Sequence, residues 1–312
     1  SRCDQFFREH PELSVAVNIT SDTPLPTVVQ WLANRSSITD LTDELARPLT
    51  VSPFAVARGG LSDVYRATRS NGAQLAIKCL RQHDPKHIKR TARELNTWSK
   101  LKHENVLELY GLAVFQGCLA MVSPWMKYGS VNAALKNKPN MDRYKLCLQL
   151  SSAVKYLHRE NVVHGDIKGE NLLMGQGGTL KLTDFGLSIM HDKAFQFSQT
   201  DPGGGTCRWM APELYQEGAE RSREADVYAM GMTMLEIITG DVPFRDIRLG
   251  HQVIWAVVQD RRTPGVPELQ TEPLTPEAKI MHIVLQWCWK YEPNERPTAR
   301  RICSLMHGLA DK

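Results

Sequence analysis

The sequence predicts a segregated α+β fold in two lobes. Three observations carry that reading. Residues from about 51 to 124 have strand-like texture and contain an Asn71-Gly72 hairpin signal. Beyond Gly129 the apolar residues recur at helical spacing instead, as in Leu146, Leu150, Ala153, Val154 and Leu157. The length of 312 residues suits one large domain or two smaller ones. An apolar share of 42% and a charged share of 23% are ordinary for a globular chain and argue against a fibrous or wholly disordered one.

Taken in order, residues 1–39 are weakly patterned, with short helices expected at 3–10 and 27–33. Asp40 is a good N-cap, and Asp43 and Glu44 suit the first turn of a short helix that Pro48 stops. Strands are predicted at 63–68 and 73–80, on either side of the Asn71-Gly72 turn. Ile88, Ala92, Leu95 and Ser99 then recur at helical spacing beside Lys86, Lys89, Arg90 and Arg93. Two further strands are expected at 106–114 and 118–123. After the long helix around 146–157, short strands at 172–174 and 180–183 flank a glycine-rich turn. Helices follow at 222–239, 251–259, 275–289 and 298–308. This organisation gives an N-terminal extension over 1–50 and a main domain over 51–308, with lobes at about 51–124 and 127–308.

Lys and Arg total 38 and Asp and Glu 34, a net charge of +4. A charge that small gives no reason to expect nucleic-acid or membrane-surface partners. Residues 1–50 carry 4 basic and 7 acidic side chains, −3 net, leaving +7 for the rest. The longest apolar run, 227–238, is interrupted by Gly231, Thr233 and Glu236, so no membrane span is expected. No basic stretch followed by an apolar one opens the chain, so no signal peptide is expected. Seven cysteines without Cys-x-x-Cys pairs read neither as a disulfide framework nor as a zinc site and suit a reducing, cytoplasmic setting.

The chemistry concentrates in Val163-His164-Gly165-Asp166-Ile167-Lys168-Gly169-Glu170-Asn171, followed thirteen residues later by Asp184-Phe185-Gly186. A phosphoryl-transfer centre needs these residue types. One carboxylate accepts a hydroxyl proton, and a cation offsets charge on the moving phosphoryl group. A second carboxylate and a carboxamide oxygen supply the hard ligands that Mg²⁺ prefers. Singly, each is explained as a solvated polar residue; the whole constellation is not.

These residues resemble the signature of the protein kinases. Ala76-Ile77-Lys78 matches the motif that ends the third strand, and Glu94 is the one acid on the helix that follows. Thr206-Cys-Arg-Trp-Met-Ala211-Pro212-Glu213 matches the close of the activation loop. Asp226-Val-Tyr-Ala-Met-Gly231 matches the helix beneath the catalytic loop, and Glu295-Arg296-Pro-Thr298 supplies the arginine that pairs with Glu213. The motifs span residues 56–298.

The resemblance implies a two-lobed kinase fold. Its N-lobe is a mainly antiparallel sheet with one long helix, and its C-lobe is mainly helical. It implies transfer of the γ-phosphate of ATP to a hydroxyl of a protein substrate. Asp166 would orient and deprotonate that hydroxyl, with Lys168 neutralising the phosphoryl group. Asn171 and Asp184 would hold Mg²⁺, and Lys78, fixed by Glu94, would position the phosphates. Val56, Val64, Ala76 and Leu173 would enclose the adenine behind a Ser123 gatekeeper. Pro124 would offer its carbonyl and Met126 its N–H and carbonyl, while Ser130 is either a ribose contact or an N-cap.

Two departures matter. The glycine-rich loop, Ala57-Arg58-Gly59-Gly60-Leu61-Ser62-Asp63-Val64, keeps only Gly59 of the family's three glycines and adds Gly60. Weaker ATP affinity is one expectation, since glycine admits phosphate to backbone N–H groups. The usual His-Arg-Asp is His164-Gly165-Asp166, so activity is not expected to depend strictly on activation-loop phosphorylation. Ser188, Ser198, Thr200 and Thr206 remain phosphorylatable, with Arg93 as a partner, though Thr206 better suits a structural hydroxyl reaching Asp166 or Lys168. Lys168 and Gly205-Thr206 resemble serine/threonine kinases, and the motif texture resembles the tyrosine-kinase-like (TKL) group, its expanded fungal branch especially. A nucleotide-binding pseudokinase is the alternative. A third reading has acidic residues 1–50 docking on a partner or on the basic helix of the chain's own lobe.

Overall fold

The computed structural model describes residues 23–58, 62–81, 85–185, 189–190, 206–266 and 275–310. The expected helix at 3–10, Gly59, Gly60, Ser188, Ser198, Thr200 and the Arg93 side chain lie outside the described residues.

The first helix, α1 (Leu25–Ser36), starts behind Pro24, carries Pro26 in its first turn and ends on Ser37 in the left-handed region. It buries Val28, Val29, Leu32 and Ala33. Asp40 Oδ1 accepts from Thr42 N at 2.9 Å and from Thr42 Oγ1 at 2.6 Å, opening the short α2 (Thr42–Leu45). The N-lobe sheet comprises β1 (Thr50–Val51), β2 (Ala57–Arg58), β3 (Ser62–Thr68), β4 (Gln74–Leu80), β5 (Gly111–Phe115) and β6 (Cys118–Pro124). Its order is β1-β3-β4-β6-β5, with β2 also on β3 and every pair antiparallel. Asn71 makes the predicted turn, its Oδ1 accepting from Ala73 N at 3.0 Å. Helix α3 (Pro85–Trp98) follows β4.

Strand alternation sorts β4 into two faces. Leu75, Ile77 and Cys79 are buried in an apolar layer with Ala113, Phe115, Ala120 and Val122, to which Leu41 and Leu45 also belong. Ala76 and Lys78 point to the opposite face. The strand predicted over 106–114 is shorter than its apolar pattern suggested. Leu107 N donates to Leu182 O and Leu182 N to Asn105 O, both at 2.9 Å. Residues 105–107 are therefore paired with the C-lobe hairpin, and the chain joins the sheet only from Tyr110, whose N donates to Val122 O at 2.8 Å.

The C-lobe contains α4 (Val131–Asn137), α5 (Arg143–Arg159), β7 (Val162–Val163), β8 (Leu172–Met174), β9 (Leu180–Leu182), β10 (Ile189–Met190), α6 (Arg223–Thr239), α7 (Gly250–Val258), α8 (Pro276–Cys288) and α9 (Ala299–Ala310). Ser130, Asp142, Ser222 and Thr275 cap α4, α5, α6 and α8 through side-chain oxygens. The apolar run at 227–238 forms most of α6, which is buried nearly all round, the mark of a core helix. Among the described residues no helix is long and apolar enough to cross a membrane. The six described cysteines are free, and burial pushes the Cys79 and Cys288 thiols up to about 12, which makes them poor nucleophiles.

Candidate active site

The loop after β7 is fixed from below by Asp226, near the start of α6 and 1% exposed. Its Oδ2 accepts from His164 N and its Oδ1 from Gly165 N, both at 2.8 Å, while His158 Nε2 lies 2.9 Å from Oδ2. Asp166 N donates to His164 Nδ1 at 3.2 Å, so the ring proton sits on Nε2 and points to Thr183 O at 3.2 Å. Gly165 adopts φ +77°, and Arg221 Nε donates to its carbonyl at 3.3 Å. A side chain at this φ is strained. Gly165→Ala should therefore lower stability by about 1 kcal/mol, read from the urea unfolding midpoint.

This support converges three of the predicted groups. Lys168 Nζ lies 3.0 Å from Asp166 Oδ2. Asn171 Nδ2 donates to Asp166 O at 2.8 Å and to Asp166 Oδ2 at 3.0 Å. Asp166 Oδ1 is buried without a hydrogen-bond partner among the described residues, an acceptor in want of a donor. Lys168 Nζ also donates to Thr206 Oγ1 at 3.0 Å, so Thr206 has the structural hydroxyl role its sequence position suggested.

Asp184 arrives from β9, with Thr183 N donating to Asn171 O at 2.9 Å. Its backbone takes φ +68°, and its Oδ1 lies 3.8 Å from Lys78 Nζ. Lys78 Nζ in turn donates to Glu94 Oε1 at 3.2 Å, and Glu94 is buried. Phe185 is buried edge-on to His164, with ring centres 5.2 Å apart, and 6.0 Å from Trp98. Trp98 lies one helical turn beyond Glu94 and donates through Nε1 to Leu107 O. One row of rings thus connects the loop bearing Asp166 to the helix bearing Glu94. Nothing in the local sequence around Trp98 marks that role.

The cleft face of the sheet holds the other predicted positions. Val56 N donates to Val64 O at 2.8 Å, Val64 stands opposite Lys78, and Ala76 opposite Ser123. Pro124 ends β6, and Met126 is buried, its carbonyl accepting from Gly129 N at 3.1 Å. Ser130 Oγ accepts from Ala133 N at 3.3 Å, which gives it the capping role, and its backbone bridges to Leu173. Glu170 is exposed.

Two acids anchor the rest, Glu236 buried and Glu213 partly exposed. Glu236, which breaks the apolar run of α6, accepts from Asn132 Nδ2 at 2.7 Å, Gly169 N at 2.9 Å and Trp209 Nε1 at 3.0 Å. Burial pushes its carboxyl up, against the pull of those three donors. It joins the catalytic loop, α4 and the 206–209 turn, a role the sequence reading missed although an acid inside an apolar helix was its signal. Glu213 receives a bidentate pair from Arg296, at 2.6 and 2.7 Å, and the Arg296 side chain is 0% exposed.

A cation fits this donor set. Both Nδ2 hydrogens of Asn171 are engaged by Asp166, so Oδ1 is what it can offer a metal, alongside the Asp184 carboxylate. Hard oxygens of this kind suit Mg²⁺, which takes few protein ligands and completes its shell from phosphate and water. Among the described residues no three His, Cys, Asp or Glu gather as a closed metal centre.

Residues 54–306 match the family described as protein tyrosine and serine/threonine kinase. The chain belongs to the protein kinase family. It is 30% identical over 245 residues to a probable serine/threonine-protein kinase of Dictyostelium discoideum, covering 76% of this chain and 25% of that one. It is 28% identical over 261 residues to the serine/threonine-protein kinase STY17 of Arabidopsis thaliana, covering 81% and 43%. It is 29% identical over 215 residues to the mitogen-activated protein kinase kinase kinase mkh1 of Cytospora mali, covering 67% and 11%. The chain thus spans less than half the length of these relatives. The kinase match begins after α1, α2 and β1, so the packed N-terminal extension lies outside it.

Proposed function

We propose that this chain is an ATP-dependent serine/threonine protein kinase of the TKL group, near its expanded fungal branch, working with Mg²⁺ in the cytoplasm. One observation carries the reading: Asp166, Lys168 and Asn171 meet within about 3 Å while Asp184 faces the Lys78–Glu94 pair. The free described cysteines suit the proposed compartment.

In this reading the orphan Oδ1 of Asp166 receives the substrate hydroxyl and takes its proton as the oxygen attacks the γ-phosphorus. The bond from that phosphorus to the bridging oxygen breaks and ADP leaves. Lys168 offsets charge on the transferring group. Lys78, held by Glu94, positions the α- and β-phosphates, and Asn171 and Asp184 hold the cation. When bound there, Mg²⁺ would supply positive charge that offsets the charge of the phosphates. The barrier falls through positioning and electrostatics rather than covalent catalysis. Val56, Val64, Ala76 and Leu173 enclose the nucleotide, and Pro124 and Met126 read the adenine edge through their backbones; Gly59 and Gly60, outside the described residues, remain the sequence's candidates for the phosphates.

The Lys168–Thr206 bond and the relatives' names support serine/threonine selectivity. Phosphoamino-acid analysis of a mixed protein substrate should return phosphoserine and phosphothreonine; mainly phosphotyrosine would overturn that choice. Because Gly165 replaces the usual arginine, complete dephosphorylation should leave most of the activity, and a collapse to background would refute this independence. The pseudokinase alternative predicts thermal stabilisation by ATP with no phosphate incorporation.

A further inference from the structure

The extension before the kinase match is built into the N-lobe, on the side of the Glu94 helix. Helix α1 packs on α3, β5 and β6. Val28, Val29 and Leu32 are at most 1% exposed and share one apolar cluster with Ile88, Leu95 and Trp98 of α3. Leu95 is the neighbour of Glu94, and Trp98 carries the ring contact to Phe185.

A second, independent observation fixes the chain between α1 and α2. Strand β5 is the edge of the sheet, and an edge strand leaves backbone groups to be satisfied. Leu112 N donates to Thr39 O at 2.9 Å, Leu41 N donates to Leu112 O at 2.6 Å, and Val114 N donates to Thr42 Oγ1 at 3.0 Å. A Cβ at Gly111 would collide with the Thr39 carbonyl and come within 2.7 Å of the Leu41 side chain. The kinase domain's own edge strand therefore carries the residue that lets the extension approach.

We propose that α1 and the 39–42 segment are a brace for the Glu94 helix, with Val29 and Leu32 as positioning residues for the Lys78–Glu94 pair. The inference rests on the kinase reading above. Within residues 23–45 the contact with the Glu94 helix is apolar; Asp4, Glu9, Glu12 and Asp22, four of the acids expected to lie on the basic helix, fall outside the described residues. Glu44 pairs instead with Arg69, beside the β3–β4 turn. The brace promotes the productive arrangement rather than blocking it.

The test uses the full chain carrying Leu32→Ala, with Val29→Ala as a milder variant. Leu285→Ala serves as a matched core truncation in α8, a helix that carries none of the predicted site residues. Unfolding midpoints are recorded, and kcat and KM are measured well below all of them. Loosening α3 displaces Glu94, so Leu32→Ala should lower kcat about 10-fold at saturating ATP, with KM for the protein substrate unchanged. Val29→Ala should show a smaller loss of the same kind, Leu32→Met should restore most of the rate, and Leu285→Ala should keep the wild-type kcat. A Leu32→Ala kcat equal to wild type, or a loss no greater than that of Leu285→Ala, overturns the brace. If Leu32→Ala does not fold, the kcat of Val29→Ala decides in its place by the same comparison. An inactive wild type would instead sink the kinase reading on which the brace depends.

Discussion

Asp184→Asn should reduce kcat/KM for phosphate transfer by at least about 1,000-fold, a loss on the scale of removing an essential charge-stabilising group. The substitution keeps size and shape and removes only the charge. The backbone should accept it, because asparagine, like aspartate, tolerates the φ of +68° found here. No apolar core is lost, since the Asp184 side chain is 45% exposed. A variant that folds with a wild-type unfolding midpoint yet does not transfer phosphate places the defect in chemistry. Lys78→Met should give a comparable loss by removing the cation between Glu94 and Asp184. Full activity in both variants would overturn the site assignment.

Glu213→Ala should be among the most destabilising single changes in the molecule. It leaves the Arg296 guanidinium buried at 0% exposure without its carboxylate, a loss of about 3–5 kcal/mol. For a domain of this size that corresponds to a midpoint drop of roughly 10 °C. Arg296 also donates to the carbonyls of Glu224, Lys290 and Tyr291, at 3.1, 2.8 and 3.0 Å. Adding Arg296→Met to Glu213→Ala should therefore recover only part of the loss: the unpaired charge disappears, but three carbonyls lose their donor. A thermal melt of Glu213→Ala within about 2 °C of wild type would show that the pair holds nothing.

The candidate site is legible in the sequence because its information is local and chemical. Asp166, Lys168 and Asn171 share one loop, and Asp184 follows a hairpin whose strands could be read from their apolar pattern. Lys78 and Glu94 were legible as a lysine ending a strand and a lone acid on the next helix. What escaped depends on tertiary contact. Trp98 is an ordinary core residue in sequence and becomes a link only through its place between Leu107 and Phe185. The apolar residues at 106–107 fit a strand pattern, but their partner is β9 rather than the sheet. Glu236 was read as an interruption of α6, whereas its three donors come from α4, the catalytic loop and the 206–209 turn. The extension is weakly patterned because α1 needs only one apolar stripe, and its net charge says nothing of the apolar contact that Val28, Val29 and Leu32 make.

Phosphate transfer by this site is measured most directly as incorporation of γ-labelled phosphate from ATP·Mg²⁺ into a mixed protein substrate, with the modified residues mapped. Wild-type protein should label serine and threonine, and Asp166→Asn should lose the signal while binding nucleotide as before. Nucleotide binding by the wild type with no label transferred, or label that persists undiminished in Asp166→Asn, would show that Asp166 and its neighbours do not form a phosphoryl-transfer centre.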